Sequence, residues 1–243
     1  MTLSEIANSI CGKLHDTETA SVTACKDYIK ERYQMVWDLA LWTESLGIVS
    51  QDVKASTPEV TISSDPSIFY YPTSSTVAST APRMDFVVAV KFTKTGDTDG
   101  NELVGSEWVR FFALDANVWN NVETRRSSPT NFIPLPKDSS GNTRIKLVPA
   151  PKDAGTLYAL GKMKLPDLGD SDSPVLPGID QVLLAFGMGD MLERSMQFGK
   201  AQAKYTEANA LMQGMRDLQK NQQQQSAAVV PLVQDEWSGG DFV

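Results

Sequence analysis

The apolar residues change period twice along this chain, and that change constrains the fold more than any single motif does. Residues 1–46 carry apolar side chains at helical spacing: Val22, Cys25, Ile29, Tyr33, Val36 and Ala40 step by three or four. A second line, Tyr28, Met35, Leu39 and Trp42, runs beside the first. So wide a stripe suits a helix packed against two neighbours. The pattern predicts a short helix over 5–14 capped by Ser4, a polar turn from His15 to Ser21, and a long helix from Val22 to Ser45 stopped by Gly47.

From 47 to 166 the composition turns to Val, Ile, Thr, Phe and Tyr punctuated by Pro and Gly. It predicts strands near 48–54, 58–63, 67–71, 84–95, 103–113, 143–149 and 156–164. The run Asp85-Phe-Val-Val-Ala-Val-Lys-Phe92 suits a strand buried on both faces. The turn cluster Thr95-Gly-Asp-Thr-Asp-Gly-Asn101 joins its neighbours into a hairpin. Residues 72–83 and 120–142 read as loops, the second long enough to be functional or disordered.

A linker, Pro166-Asp-Leu-Gly-Asp-Ser-Asp-Ser-Pro174, then returns the chain to helical periodicity from about Ile179 to Gln222. Pro177 sits near the first turn, where proline is tolerated. Gly187, Gly189 and Gly199 predict two helices or a kinked one. Met191, Arg194, Phe198, Ala201, Tyr205, Ala208, Met212 and Met215 form a packing seam. The seam fades into Gln222-Gln-Gln-Gln225. Such a helix needs a partner for its apolar line, and the N-terminal helix is the obvious one. The expected fold class is therefore α+β: a helical bundle formed by the N-terminal (1–46) and C-terminal (167–225) helices, an inserted antiparallel β-rich domain (47–166), and an extended C-terminal tail (226–243).

Chemistry-bearing constellations are scarce. The one histidine, His15, sits in a polar turn beside Asp16 and reads as solvent-facing. Cys11 and Cys25 fit neither a disulfide framework nor a zinc pattern and read as small buried apolar residues. The acidic run Asp167-Leu-Gly-Asp-Ser-Asp172 lacks the twelfth-position Glu of a calcium loop. Gly187-Met-Gly189 follows an apolar helix-like run and has no phosphate-binding lysine at the right spacing. No catalytic residue, metal site or cofactor is expected. Among 243 residues the formal net charge is −8, which disfavours tight binding to a phosphate backbone. It permits a surface past which DNA slides. The N-terminus lacks signal-peptide character and no stretch approaches the ~20 apolar residues of a membrane span, so a soluble protein made in the cytoplasm, with no membrane partner, is expected.

Two surfaces stand out as interaction candidates. The tail carries Val229, Val230, Leu232, Val233, Trp237, Phe242 and Val243 as isolated apolar anchors, a spacing that suits strand addition or pocket filling on another subunit. Arg125 and Arg126 lie in the long loop and can touch DNA or an acidic partner, or be solvated.

The order of these segments resembles the head-to-tail adaptor proteins of tailed bacteriophages. Three stretches carry the likeness. They are Cys25-Lys-Asp-Tyr-Ile-Lys-Glu-Arg-Tyr-Gln-Met-Val-Trp-Asp-Leu-Ala-Leu-Trp42, Leu157-Tyr-Ala-Leu-Gly-Lys-Met-Lys-Leu165, and Leu176-Pro-Gly-Ile-Asp-Gln-Val-Leu-Leu-Ala-Phe-Gly-Met-Gly-Asp-Met-Leu-Glu-Arg194 with Lys204-Tyr-Thr-Glu-Ala208. The resemblance implies a virion protein forming a ring, expected to hold twelve copies, beneath the portal protein. It implies a tail that clasps the portal, a tail or nozzle protein below, and a channel that passes DNA without sequence-specific binding. Alternative readings are another virion component (a tail terminator, stopper or minor capsid protein), or a β-domain that binds a glycan or receptor through Trp108, Trp119, Tyr70 and Tyr71. An enzyme is the least favoured reading.

Overall fold

The computed structural model describes residues 1–62, 68–69, 83–94, 109–110, 126–127, 129 and 131–228, with side chains described outside 68–69, 94, 109–110, 126–127 and 221–228. The fold is α+β. Helix α1 (Leu3–Lys13) begins two residues earlier than the Ser4 cap predicts. The cap is Thr2, whose hydroxyl accepts from the Glu5 backbone N–H at 3.2 Å while the Glu5 carboxylate accepts from the Thr2 N–H at 2.8 Å. This reciprocal pair satisfies two otherwise orphaned donors. Thr2→Ala is expected to cost about 1 kcal/mol, measured as a lowered midpoint in urea unfolding.

Helix α2 (Thr19–Leu39) ends six residues before the expected stop, because Ala40 is extended at φ −145°, ψ 166°. Trp42 turns back instead of continuing the helix, and its indole N–H donates to the Val36 carbonyl at 2.8 Å. A 3-10 turn (Thr43–Ser45) then leads directly into strand β1 (Leu46–Val53). Gly47 is therefore a strand residue and not a helix stop. A Cβ there would lie 2.9 Å from the Met163 side chain, so the glycine permits close packing.

The remaining strands are β2 (Glu59–Thr61), β3 (Ile68–Phe69), β4 (Met84–Lys94), β5 (Val109–Arg110), β6 (Arg126–Ser127), β7 (Asn131–Leu135), β8 (Arg144–Val148), β9 (Ala150–Pro151) and β10 (Gly155–Met163). Five form one sheet in the order β3-β1-β10-β4-β5, three form a second in the order β2-β8-β7, and β6 pairs parallel with β9. The expected pairing of 84–95 with 103–113 is observed where it is described, with Ala89 opposite Arg110 and Val90 opposite Val109. The anticipated burial of β4 on both faces holds at Ala89, Val90 and Lys91, while Phe86 is exposed.

Residues 131–135 were expected within a loop and form β7, which pairs antiparallel with β8 from Asn131↔Val148 to Leu135↔Arg144. Pro134 is tolerated because β7 is an edge strand and needs no outward backbone donor. Val49, Val53, Val90, Leu157 and Ala159 of the larger sheet share one buried cluster with Val60, Phe132, Ile145 and Leu147 of the smaller. The two sheets thus face each other across a common apolar layer.

Of the two expected alternatives the structure has the pair of helices, α3 (Ile179–Arg194) and α4 (Phe198–Ala228). The break falls at Met196, which adopts φ 59°, and not at a glycine. Gly187 and Gly189 stay inside α3 as points of close approach. A Cβ on the first would lie 2.7 Å from Ile10, and one on the second 2.5 Å from Tyr205. Leu3, Ile6 and Ile10 of α1, Cys25, Ile29, Tyr33 and Trp37 of α2, and Ile179, Val182, Leu183 and Phe186 of α3 fill a second core. Along α4, Ala201 and Ala208 are buried and Tyr205, Met212 and Met215 partly so, but Phe198 and Arg194 are exposed because the break at Met196 takes them off the seam. Of the second apolar line, Tyr28 on α2 packs partly against the core, Met35 and Leu39 are exposed, and Trp42, past the helix end, is buried.

The helical and sheet cores meet at the end of α2. The indole of Trp37 donates to the Met163 carbonyl at 3.0 Å. Lys162 Nζ donates to the carbonyls of Trp37 at 2.7 Å and Ala40 at 3.0 Å, placing a cation on the C-terminal carbonyls of the helix. Burial lowers the pKa of that ammonium.

Candidate partner-binding surfaces

Several sequence candidates take structural roles. The acidic linker holds the start of α1: the Leu3 and Ser4 N–H groups donate to the Asp172 and Asp170 carbonyls at 2.9 and 3.1 Å. These are first-turn donors with no partner inside the helix. Asp170 also pairs with Lys26 at 2.8 Å, and that lysine's hydrogen bond is the main cause of its lowered pKa. Cys11 and Cys25 are both buried and free of a disulfide. Desolvation raises both, Cys25 to about 12, so they pack as small apolar groups. His15 is exposed just past α1 at φ 56°. Among the described residues no group of His, Cys, Asp and Glu could hold a metal ion, and no helix is long and apolar enough to cross a membrane.

The anchors Val230, Leu232, Val233, Trp237, Phe242 and Val243 lie outside the described residues, as do Arg125, Trp108, Trp119, Tyr70 and Tyr71. Arg126 opens β6, without a described side chain.

What the sequence reading did not anticipate is the polar junction that fixes α4. Asp190, 8% exposed on α3, accepts from Arg32 Nε at 2.9 Å and Nη2 at 2.5 Å, and from the Tyr205 hydroxyl at 2.8 Å. That hydroxyl also lies 2.5 Å from Glu193 Oε2. The guanidinium stands over the rings of Phe186 and Tyr205, 5.2 and 5.4 Å from their centroids. One two-pronged ion pair and a cation–π contact thus join α2, α3 and α4. The Asp190 hydrogen bond raises the pKa of Arg32, and burial raises that of Tyr205. A signal for this junction existed. Arg32 interrupts the line Tyr28, Met35, Leu39 at helical spacing, and Asp190 interrupts Leu183, Phe186, Gly187. Opposite charges at core positions of two helices mark a pair. Removing the cation leaves a buried carboxylate uncompensated, so Arg32→Ala is expected to cost about 3 kcal/mol, read as a fall in melting temperature. Arg32→Lys should recover part of that loss.

Beyond this junction α4 is tied down once more, where Gln219 Nε2 donates to the Leu41 carbonyl at 2.8 Å. Beside that bond lies a cleft of about 140 Å³ lined by Trp42, Thr43, Glu44, Pro177, Met215, Leu218 and Gln219. Leu218 is 66% exposed, and Leu211, one heptad earlier on the same flank of α4, is also exposed. Lys220-Asn-Gln-Gln-Gln-Gln-Ser226 then continues the helix with a wholly polar sequence.

The two cores meet through Trp37 and Lys162, and the long helix α4 is fixed by the Arg32–Asp190–Tyr205 junction. The model of the SU10 adaptor protein family matches residues 1–234, so the chain belongs to that family of phage head–tail adaptor proteins. It is a structural phage adaptor and a virion component that meets other head and tail proteins. No curated protein matches the chain.

Proposed function

We propose that this chain forms a ring, of twelve copies, beneath the portal of the phage head, and joins head to tail around the DNA channel. In this reading residues 1–46 and 167–225 form the helical body of each copy. Residues 47–166 are an inserted domain that meets neighbouring copies and the tail or nozzle protein below, with Arg125 and Arg126 as loop contacts to tail or DNA. Residues 226–243 reach up to the portal through Val230, Leu232, Val233, Trp237, Phe242 and Val243.

The observation that carries this reading is the end of α4. Gln219 ties α4 to the Leu41 carbonyl, and the helix continues to Ala228 through the polar sequence Lys220–Ser226. The sequence after it carries apolar anchors at a spacing that suits uptake by a partner. The net charge of −8 suits a channel that passes a polyanion without retaining it. Electron cryo-microscopy of an intact particle tests the proposal. Density for a twelve-fold ring of this chain directly below the portal is expected. The same chain found at the far end of the tail or on the capsid shell would overturn it.

A further inference from the structure

Two exposed features of the helical body match each other and stand too far apart to meet within one copy. At the corner between α3 and α4, Met196 is 74% exposed and Phe198 59% exposed, and Met196 is held at φ 59°. A non-glycine residue in that region is strained, and such strain clusters at functional surfaces. Twenty positions along α4 from Phe198, Leu218 lines the cleft beside Gln219. We propose that the Phe198 ring of one copy enters that cleft on the next copy, so that the helical bodies link head to tail around the ring. This contact rests on the ring reading and adds a second seam to it, beside the one given to residues 47–166.

Size, charge and direction favour a second copy as the occupant. An apolar cavity of roughly 150 Å³ takes a benzene-sized group. The cleft measures about 140 Å³, with Trp42, Pro177, Met215 and Leu218 in its walls, and so takes one phenyl ring. The charged residue of its lining is Glu44. The charges that flank the corner are Arg194 and Lys200, both exposed. None of these three has an ionic partner among the described residues. Glu193, the acid of the same corner, is taken up by the Tyr205 hydroxyl. Seating Phe198 in the cleft thus brings free charges of opposite sign together. Phe198 and Leu218 stand about 30 Å apart at ~1.5 Å per residue, and about 200° apart around the helix at ~100° per residue. Corner and cleft therefore face opposite sides of α4. A two-fold dimer needs both on the side that meets its partner, so it cannot make both contacts. Each copy instead gives its phenyl ring to one neighbour and its cleft to the other, the head-to-tail arrangement that generates closed rings.

The test uses the full chain carrying Thr43→Cys and Gly199→Cys, assembled on purified portal-bearing heads. Thr43 is exposed at the cleft, a Cβ added at Gly199 meets nothing within 4 Å, and the native Cys11 and Cys25 are fully buried. Oxidation is expected to give a ladder of covalent multiples of the chain on electrophoresis without reductant. Neither single-cysteine variant should give one. Phe198→Ala removes an exposed ring, keeps the fold, and should slow the ladder at least about tenfold. Glu44→Lys should slow it too, and adding Arg194→Glu with Lys200→Glu should restore it. Bound chain without a ladder, a ladder indifferent to Phe198→Ala, cross-linking by a single-cysteine variant, or a covalent adduct to a head protein would overturn the contact and leave the ring reading to other surfaces. A chain that binds no portal-bearing head would overturn the ring reading itself, and the contact with it.

Discussion

Trp37→Ala is expected to be the most destabilising single substitution in the helical half, at about 4 kcal/mol. The indole is 1% exposed and sits where the two cores meet, in edge contact with Tyr33 at a centroid separation of 6.1 Å. Truncation leaves a cavity beside Tyr33 in the helical core, and such a cavity collapses only partly in a close-packed interior. It also strips the Met163 carbonyl of its indole donor, a loss of about 1–3 kcal/mol for a buried acceptor without water. In a chain of this size each kcal/mol moves the melting temperature by about 2–4 °C, so calorimetry should record a fall of roughly 10–15 °C. Trp37→Phe keeps most of the volume and loses only the donor, and should cost about 1–2 kcal/mol. If Ala and Phe variants melt together, packing is not what the indole supplies there. The Lys162 bonds reach backbone carbonyls and persist in both variants, so any decoupling of helices from sheets is the indole's own.

The helical period was legible because burial repeats locally: Cys25, Ile29, Tyr33 and Val36 all turned inward as their spacing predicts. Strands β1, β2, β4, β8 and β10 were legible for the same reason, since runs of β-branched and aromatic residues need no distant partner to be recognised. What failed depends on contacts far apart in sequence. Nothing local ends α2 at Leu39, because the pattern continues through Ala40 and Trp42. The end is set by Trp42 folding onto Val36 and by Lys162 arriving from β10. Pro134 and Pro136 signal a loop, and only the edge position beside β8 makes a strand compatible with them. The glycines of α3 signal a break, whereas their purpose is the approach of Ile10 and Tyr205, and the break falls at Met196. The polar junction was half visible, as two charges at core positions, but pairing Arg32 with Asp190 across 158 residues needed the fold. The resemblance to phage adaptors rested on segment order, which the family match across residues 1–234 upholds.

Removing residues 226–243 should abolish attachment to portal-bearing heads and leave the fold intact. The two halves of that expectation have different physical sources. The fold survives because α4 is held through Tyr205, Ala208, Met212, Met215 and Gln219, all upstream of the cut. The melting temperature should therefore fall by no more than about 4 °C, the equivalent of ~1 kcal/mol. Attachment fails because a few large apolar anchors carry most of the energy of such interfaces, and the cut takes Trp237, Phe242 and the aliphatic run together. Trp237→Ala alone should weaken portal binding by more than about tenfold, and Leu232→Ala by less, measured by co-sedimentation with purified portal. The polar stalk gives a further discriminating variant. Replacing Gln223 and Gln224 by proline interrupts the helix while sparing every anchor. If reach and direction matter, binding falls in that variant although the tail sequence is whole. If binding is unchanged, the anchors act as a tethered peptide, and the stalk has no part in presenting them.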